Sequence, residues 1–342
     1  MPSQPLPTAD LEHVLAHTAP LWRELAGCRL FITGGTGFFG IWLLESIAAA
    51  NDALKVGVGA TVLSRDPAPF IERNPHLARR GEFEWLRGHP VNFRFPDMRH
   101  DYLLHLATAT SAYPDGTDPV EMLKAKLFGI THVLECARRA GIRRMLVTSS
   151  GAVYGRQPDE LGQIPETYIG APDPLSPASA YGNGKRLVEQ ACALTPEVDT
   201  VIARCFAFIG PHLPLDARFA AGNFIRDALA GGPIVIRGDG RAERSYLYAA
   251  DLAIWLLTLL LHGKSGRAYN VGSDAGLTVG ELAQAVARPG QAVTRAAAGV
   301  GDAACPPQRY LPDIARARDE LGLKVLIPLD DAIERTLRWY TA

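Results

Sequence analysis

The chain has 342 residues, 47% of them hydrophobic, and a net charge of -1, which allows one large core or two modest ones. No long basic run is present, which argues against nucleic acid as a partner. The most apolar window, LYAADLAIWLLTLLL (247–261), carries Asp251 and is too short to cross a bilayer, so a buried helix is expected there and no membrane partner.

Five cysteines (Cys28, Cys136, Cys192, Cys205, Cys305) stand without CxxC or metal spacing. Free thiols in a reducing compartment are therefore expected. The first residues lack a basic segment followed by an apolar core, so the expectation is a cytoplasmic protein without a signal peptide.

In chain order, residues 10–25 have helical spacing ahead of the first strand, CRLFIT (28–33). GFFGIWLLESIAAA (37–50) is a helix by its spacing; GATVLS (59–64), FEWL (83–86) and DYLLHLA (101–107) are strands. PVEMLKAKLFGITHVLECARRAG (119–141) is a long amphipathic helix closed by Gly141. The strand RMLVTSS (144–150), a Pro-rich loop (157–177), the helix YGNGKRLVEQACAL (181–194) and the strand DTVIARCFAFIG (199–210) follow. Strands alternating with helices predict a doubly wound α/β fold, a parallel sheet covered on both faces.

After residue 210 a helix (219–232), a strand (233–238), the 249–261 helix and a strand (268–273) precede short helices around Pro-rich turns. The expected division is an N-terminal extension (1–27), a Rossmann-like dinucleotide-binding domain (28–210, also receiving 233–274), and a smaller C-terminal cap (211–232 and 275–342).

FITGGTGFFG places Gly34, Gly37 and Gly40 between the first strand and the first sheet-covering helix, with Phe38 and Phe39 opening that helix. A dinucleotide pyrophosphate needs a tight turn, backbone approach without a Cβ, and a helix N-terminus aimed at its charge. The spacing is a GxxGxxG variant of the dinucleotide fingerprint. At the end of the second strand, Ser64 and Arg65 stand where an acid would meet a free ribose 2′-hydroxyl. Arg65 would pair with a 2′-phosphate, which leans to NADP over NAD; the other reading leaves Arg65 solvated and gives the ribose to Asp66.

YGNGK puts Tyr181 and Lys185 four apart, on one helix face. A phenol with a pKa of about 10 is a poor base near neutrality, but an adjacent ammonium and a nicotinamide cation would lower it. Tyr181 would then exchange a proton with a sugar hydroxyl while Ser150 holds the same oxygen.

The glycine loop, TSSGAVYG, YGNGK and RCFAFIGP in this order resemble the extended short-chain dehydrogenase/reductases, specifically the NAD(P)-dependent nucleotide-sugar epimerase/dehydratase family, over about residues 28–342. The resemblance implies a triad of Ser150, Tyr181 and Lys185, with Leu106, Ala107 and Thr108 lining the dinucleotide site. It also implies Asn223 at the sugar nucleotide, Arg244 and Arg309 on its phosphates, a structural His105, and a homodimer joined through the 119–141 and 181–194 helices. A guanidinium suits a pyrophosphate because its planar fork bonds two oxygens at once. His89 and Ala207 depart from the pattern, where relatives carry an aspartate and an asparagine.

Family members that remove water across C5 and C6 of the sugar carry an acidic pair directly after the triad hydroxyl. Elimination needs a base at C5 and an acid for the departing hydroxyl. Gly151 and Ala152 supply neither. The expectation is reversible hydride transfer at C4 of a nucleotide sugar, with a 4-epimerase named first and an NADPH-dependent 4-keto sugar reductase as the alternative.

Overall fold

The computed structural model describes residues 3–106, 118–215, 219–296 and 308–342. Seven parallel strands form the central sheet. Six are β1 (Arg29–Thr33), β2 (Gly59–Ser64), β3 (Phe83–Arg87), β4 (Tyr102–His105), β5 (Arg144–Ser150) and β6 (Thr200–Cys205), and the strand Ala268–Val271 joins the edge beyond β6. The spatial order is β3-β2-β1-β4-β5-β6 followed by that edge strand. Strand β1 therefore has β2 on one side and β4 on the other, in register Leu30 to both Ala60 and Tyr102. Chain connections leave β1 and β4 in opposite directions, so a crevice opens at their carboxyl ends, where ligands bind in sheets of this type.

The helices are α1 (Thr8–Glu24), α2 (Phe38–Leu54), α3 (Ala68–Arg73), α4 (Pro75–Ala78), α5 (Pro119–Ala140), α6 (Ala180–Ala193), α7 (Ala220–Ala230), α8 (Ala249–His262), α9 (Val279–Val286), α10 (Ala315–Leu321) and α11 (Leu329–Thr341). Helices α1, α2 and α8 share one core with one face of the sheet, and α5 and α6 cover the other. Helix α5 begins where Asp118 accepts from the Val120 N–H and ends on Gly141 at φ 60°, an αL stop that suits glycine. Helix α8 is buried on nearly every side, which explains the apolar window at 247–261. No described helix is long and apolar enough to cross a membrane.

Two expectations change. The strand 199–210 breaks after Cys205; Phe208–Ile209 leaves the central sheet and pairs with Leu247–Tyr248. The strand at 233–238 pairs with Val293–Arg295 rather than joining the sheet domain. We propose accordingly that residues 211–244 with 275–342 form the cap. A small sheet there joins Glu243–Arg244 to Leu277–Thr278 on one side and Arg309–Tyr310 on the other.

The N-terminal helix is tied in by a buried carboxylate. Asp10 is 1% exposed, accepts from the Tyr248 hydroxyl at 2.5 Å, and meets Arg335 of α11 at 2.7 Å. Removing one member of a buried set leaves the others desolvated and unpaired. Asp10→Ala is therefore expected to cost about 2–4 kcal/mol in urea unfolding, whereas a loss under about 0.5 kcal/mol, the level of an ordinary surface change, would contradict this role.

Candidate functional site

At the crevice, Gly34 adopts φ +74°, a conformation side-chain-bearing residues rarely take. Its N–H donates to the Leu63 carbonyl at 3.2 Å, and the Gly37 N–H returns to the Gly34 carbonyl at 3.1 Å. Helix α2 then begins after Gly37 with no side-chain cap. Its first N–H groups and the positive end of its dipole are left for an anion. Gly34, Gly37, Phe38 and Phe39 line the adjoining cavity. Gly40 serves the packing instead, because a Cβ there would lie 2.2 Å from the Gly35 carbonyl oxygen. This cradle fits a dinucleotide pyrophosphate.

The cavity measures about 1800 Å³, beyond the roughly 300–1,000 Å³ typical of one drug-sized ligand. It has room for two, side by side. At the β2 end, the Ser64 and Thr36 hydroxyls lie 3.2 Å apart, and exposed Arg65 shares the wall with Asp66 and His89. Burial and then the Arg65 charge hold the His89 imidazole below its usual pKa. Leu106 lines the cavity at the end of β4; Ala107 and Thr108 lie outside the described residues.

Strand β5 delivers Ser150, 7% exposed, with its Oγ accepting from the Ala152 N–H at 3.2 Å. Tyr181 and Lys185 come from the first turns of α6, and Ser150 is near enough to act on the Tyr181 phenol. Lys185 Nζ donates to the Thr148 carbonyl at 2.6 Å. The structure thus brings Ser150, Tyr181 and Lys185 together on one wall. Burial pushes Tyr181 up to about 12, against the lowering effect of Ser150, and brings Lys185 down to about 7, with the Lys126 charge adding to the fall.

Lys126 was not anticipated. Its Nζ stands 4.6 Å from the centroid of the Tyr181 ring, within cation–π reach, and burial brings it down to about 8. Its stem runs past Gly184, where a Cβ would lie 2.5 Å from Lys126 Cδ. A signal was present in the sequence: Met122, Lys126 and Ile130 share the buried stripe of α5, and a charge on such a stripe calls for a local reason.

On the cap side, Arg244 and Arg309 both line the cavity. Arg244 donates to the Glu243 and Gln308 carbonyls at 2.8 and 2.9 Å, while Arg309 is held by the Glu243 carboxylate at 3.2 Å. Asn223 is not among the lining residues, and its amide oxygen accepts from Arg226 at 3.1 Å. Ala207 lines the wall beside Phe206 and Phe208. His105 is buried against the Thr33 hydroxyl at 2.8 Å, with its pKa brought down to about 3 by burial, so it stays neutral and structural.

Residues 30–272 match the NAD dependent epimerase/dehydratase family. UDP-glucuronic acid decarboxylase 2 of Arabidopsis thaliana is 30% identical over 319 residues, which is 91% of this chain and 67% of that protein. An epimerase from Methanothermobacter thermautotrophicus superposes with a TM-score of 0.79 at 25% identity, covering 96% of each chain. UDP-glucose 4-epimerase of Thermotoga maritima, with UDP-glucose, shares the fold at a TM-score of 0.75 and 21% identity, over 92% of this chain and 98% of that one.

The two buried lysines yield a prediction. The chain has six lysines, so their Cε resonances are separable by NMR in labelled protein. Lys185 and Lys126 should titrate near 7 and 8. Lys126→Met removes a like charge, so Lys185 should hold its proton to higher pH; an unmoved Lys185 titration would show the two are not coupled.

Proposed function

The chain belongs to the NAD-dependent epimerase/dehydratase family of nucleotide-sugar enzymes, and from that premise we propose that it interconverts the C4 epimers of a nucleotide-diphosphate sugar. The observation that carries this reading is the crowding behind Ser150. A Cβ at Gly151 would lie 2.6 Å from Phe206 Cζ and 2.7 Å from the Tyr310 hydroxyl, and Ala152 has no proton to give. Chemistry at C4 is supported and elimination across C5 and C6 is not.

The bound dinucleotide supplies the acceptor and donor of hydride. Tyr181 takes the proton of the C4 hydroxyl as the ketone forms and returns it on reduction, while Ser150 bonds the same oxygen and holds it in line. Lys185, protonated, stabilises the Tyr181 phenolate. Arg244 offers the phosphates a half-buried guanidinium, and Arg309 is the second candidate once released from Glu243.

The dinucleotide is NAD or NADP, and Arg65 at the tip of β2 leans to NADP. Exposed Val120 and Phe128 on α5, Leu187 on α6 and Leu194 just after it support a homodimer through these helices. A second reading has specific support from the curated relatives, which are UDP-glucuronic acid decarboxylases. Loss of CO2 from a 4-keto uronic acid needs the same oxidation at C4 and no acidic pair at 151–152.

Denaturing the purified protein and identifying the released dinucleotide tests the cofactor reading. Retained NAD favours the epimerase, whereas an empty site preferring NADPH turns the assignment to a 4-keto sugar reductase. Proton NMR of UDP-glucose and of UDP-glucuronic acid incubated with the enzyme decides between epimerisation and decarboxylation. Tyr181→Phe should lower kcat by about 10²–10⁴ on any active substrate; unchanged turnover would remove Tyr181 from the reaction. Light scattering at a monomer mass would overturn the dimer.

A further inference from the structure

Ser150 has a second phenol against it. The Tyr310 hydroxyl lies 3.3 Å from Ser150 Oγ, where either oxygen can donate, and 3.5 Å from the Cys205 carbonyl oxygen, a second acceptor for its one hydrogen. The residue is half-buried overall, with the hydroxyl at its inner end, against groups that are themselves buried. Its ring packs on Phe206 at 4.6 Å, and the Arg244 guanidinium sits 5.8 Å from its centroid. The parallel ladder that pairs Tyr310 with Arg244 sets the backbone of this segment. Gly151 makes the room, since a Cβ there would come within 2.7 Å of this hydroxyl.

A serine hydroxyl has one hydrogen and two lone pairs. One lone pair of Ser150 already receives the Ala152 N–H. The hydrogen has a choice of two phenol oxygens, Tyr181 and Tyr310. The choice matters, because stabilising a Tyr181 phenolate requires the hydrogen on Tyr181. If Tyr310 gives its one hydrogen to the nearer Ser150 Oγ at 3.3 Å rather than to the Cys205 carbonyl at 3.5 Å, Ser150 has only Tyr181, or the substrate oxygen beside it, to donate to.

We propose that Tyr310 is a positioning residue for the C4 chemistry: its hydroxyl donates to Ser150 and so directs the serine hydrogen to the Tyr181 oxygen. This rests on the function proposed above for its catalytic meaning; the relay rests on the 3.3 Å contact of Tyr310 with Ser150 and on the influence of Ser150 on the Tyr181 phenol. The relay runs Tyr310 to Ser150 to Tyr181, and its first member comes from the cap. Burial raises the Tyr310 pKa above that of an ordinary phenol, against the lowering effect of Ser150 and with a further rise from Tyr181. The "GA" after the serine thereby gains a second meaning. It lacks the elimination pair, and it admits a phenol from the other side of the cavity.

The ionisable groups facing this pair are Cys205 on β6, Lys185 on α6, Lys126 on α5 and Arg244 on the cap ladder. None is altered by Tyr310→Phe, which keeps the ring on Phe206 and removes only the hydroxyl. Losing the donor frees Ser150 to turn away from Tyr181, which disfavours the phenolate and raises the Tyr181 pKa.

The test has two independent readouts. In protein carrying 3-fluorotyrosine throughout, the fluorine signal of residue 181, assigned through Tyr181→Phe, reports that phenol with no substrate present. Its titration should move up by about half a unit or more in Tyr310→Phe, where a full unit corresponds to a tenfold change in the ionisation constant. An unmoved signal overturns the relay whatever the activity. In turnover, Tyr310→Phe should lower kcat about tenfold with KM within about twofold, and shift the pH limb of Tyr181 upward. A lower kcat with no shift of the limb would make Tyr310 merely structural and also overturn the proposal.

If the fluorine signal moves but no nucleotide sugar is turned over at C4, the relay stands and the assigned function fails.

Discussion

Helix α2 leaves β1 along a line that only a residue without a side chain permits. A Cβ at Gly40 would lie 2.2 to 2.3 Å from the backbone of Gly35, far inside van der Waals contact. That approach sets the angle at which α2 meets the sheet, and with it the place where its uncapped N-terminus points. The turn at Gly34 and the first residues of α2 line the cavity that opens where the strand order reverses between β1 and β4. The family's use of a dinucleotide depends on that angle, because aligned amides and a helix dipole attract phosphate only if they face the crevice.

The second constraint is the burial of the wall that carries Ser150, Tyr181 and Lys185. Burial is the largest influence on Tyr181, Lys185, Lys126 and Tyr310 alike. It keeps both phenols protonated and loosens the protons of both lysines, so small changes in neighbouring charge have large effects on this wall. Two glycines shape it. Gly184 leaves a channel for the stem of Lys126, and Gly151 leaves a space for the hydroxyl of Tyr310. Neither glycine has a positive φ, and their importance is steric.

The layered fold was legible in the sequence because strands buried on both faces and amphipathic helices each carry a period that survives without neighbours. The helix expected at 119–141 is observed at Pro119–Ala140, and the one at 181–194 at Ala180–Ala193. Legibility fell after residue 205. The strands Phe208–Ile209, Glu243–Arg244, Leu277–Thr278 and Arg309–Tyr310 have two residues each, too short for any period to show. The misplacement of 233–238 has the same origin, since a three-residue strand at Ile234–Ile236 states nothing about which partner it will find.

The sequence by itself determined the order of elements, the glycine turn, and the presence of a serine, a tyrosine and a lysine at spacings that suit one sheet edge and one helix face. These are local properties, decided within a few residues by sterics and by helical and strand periods. Only the tertiary structure decided that Tyr310 reaches Ser150 across 160 residues, that Lys126 lies over the ring of Tyr181, and that Arg309 is held by Glu243 while Asn223 turns to Arg226. Those contacts depend on how the cap ladder and the α5–α6 pair settle against the sheet. That settling minimises a packing energy shared by the whole molecule, and no local pattern encodes it.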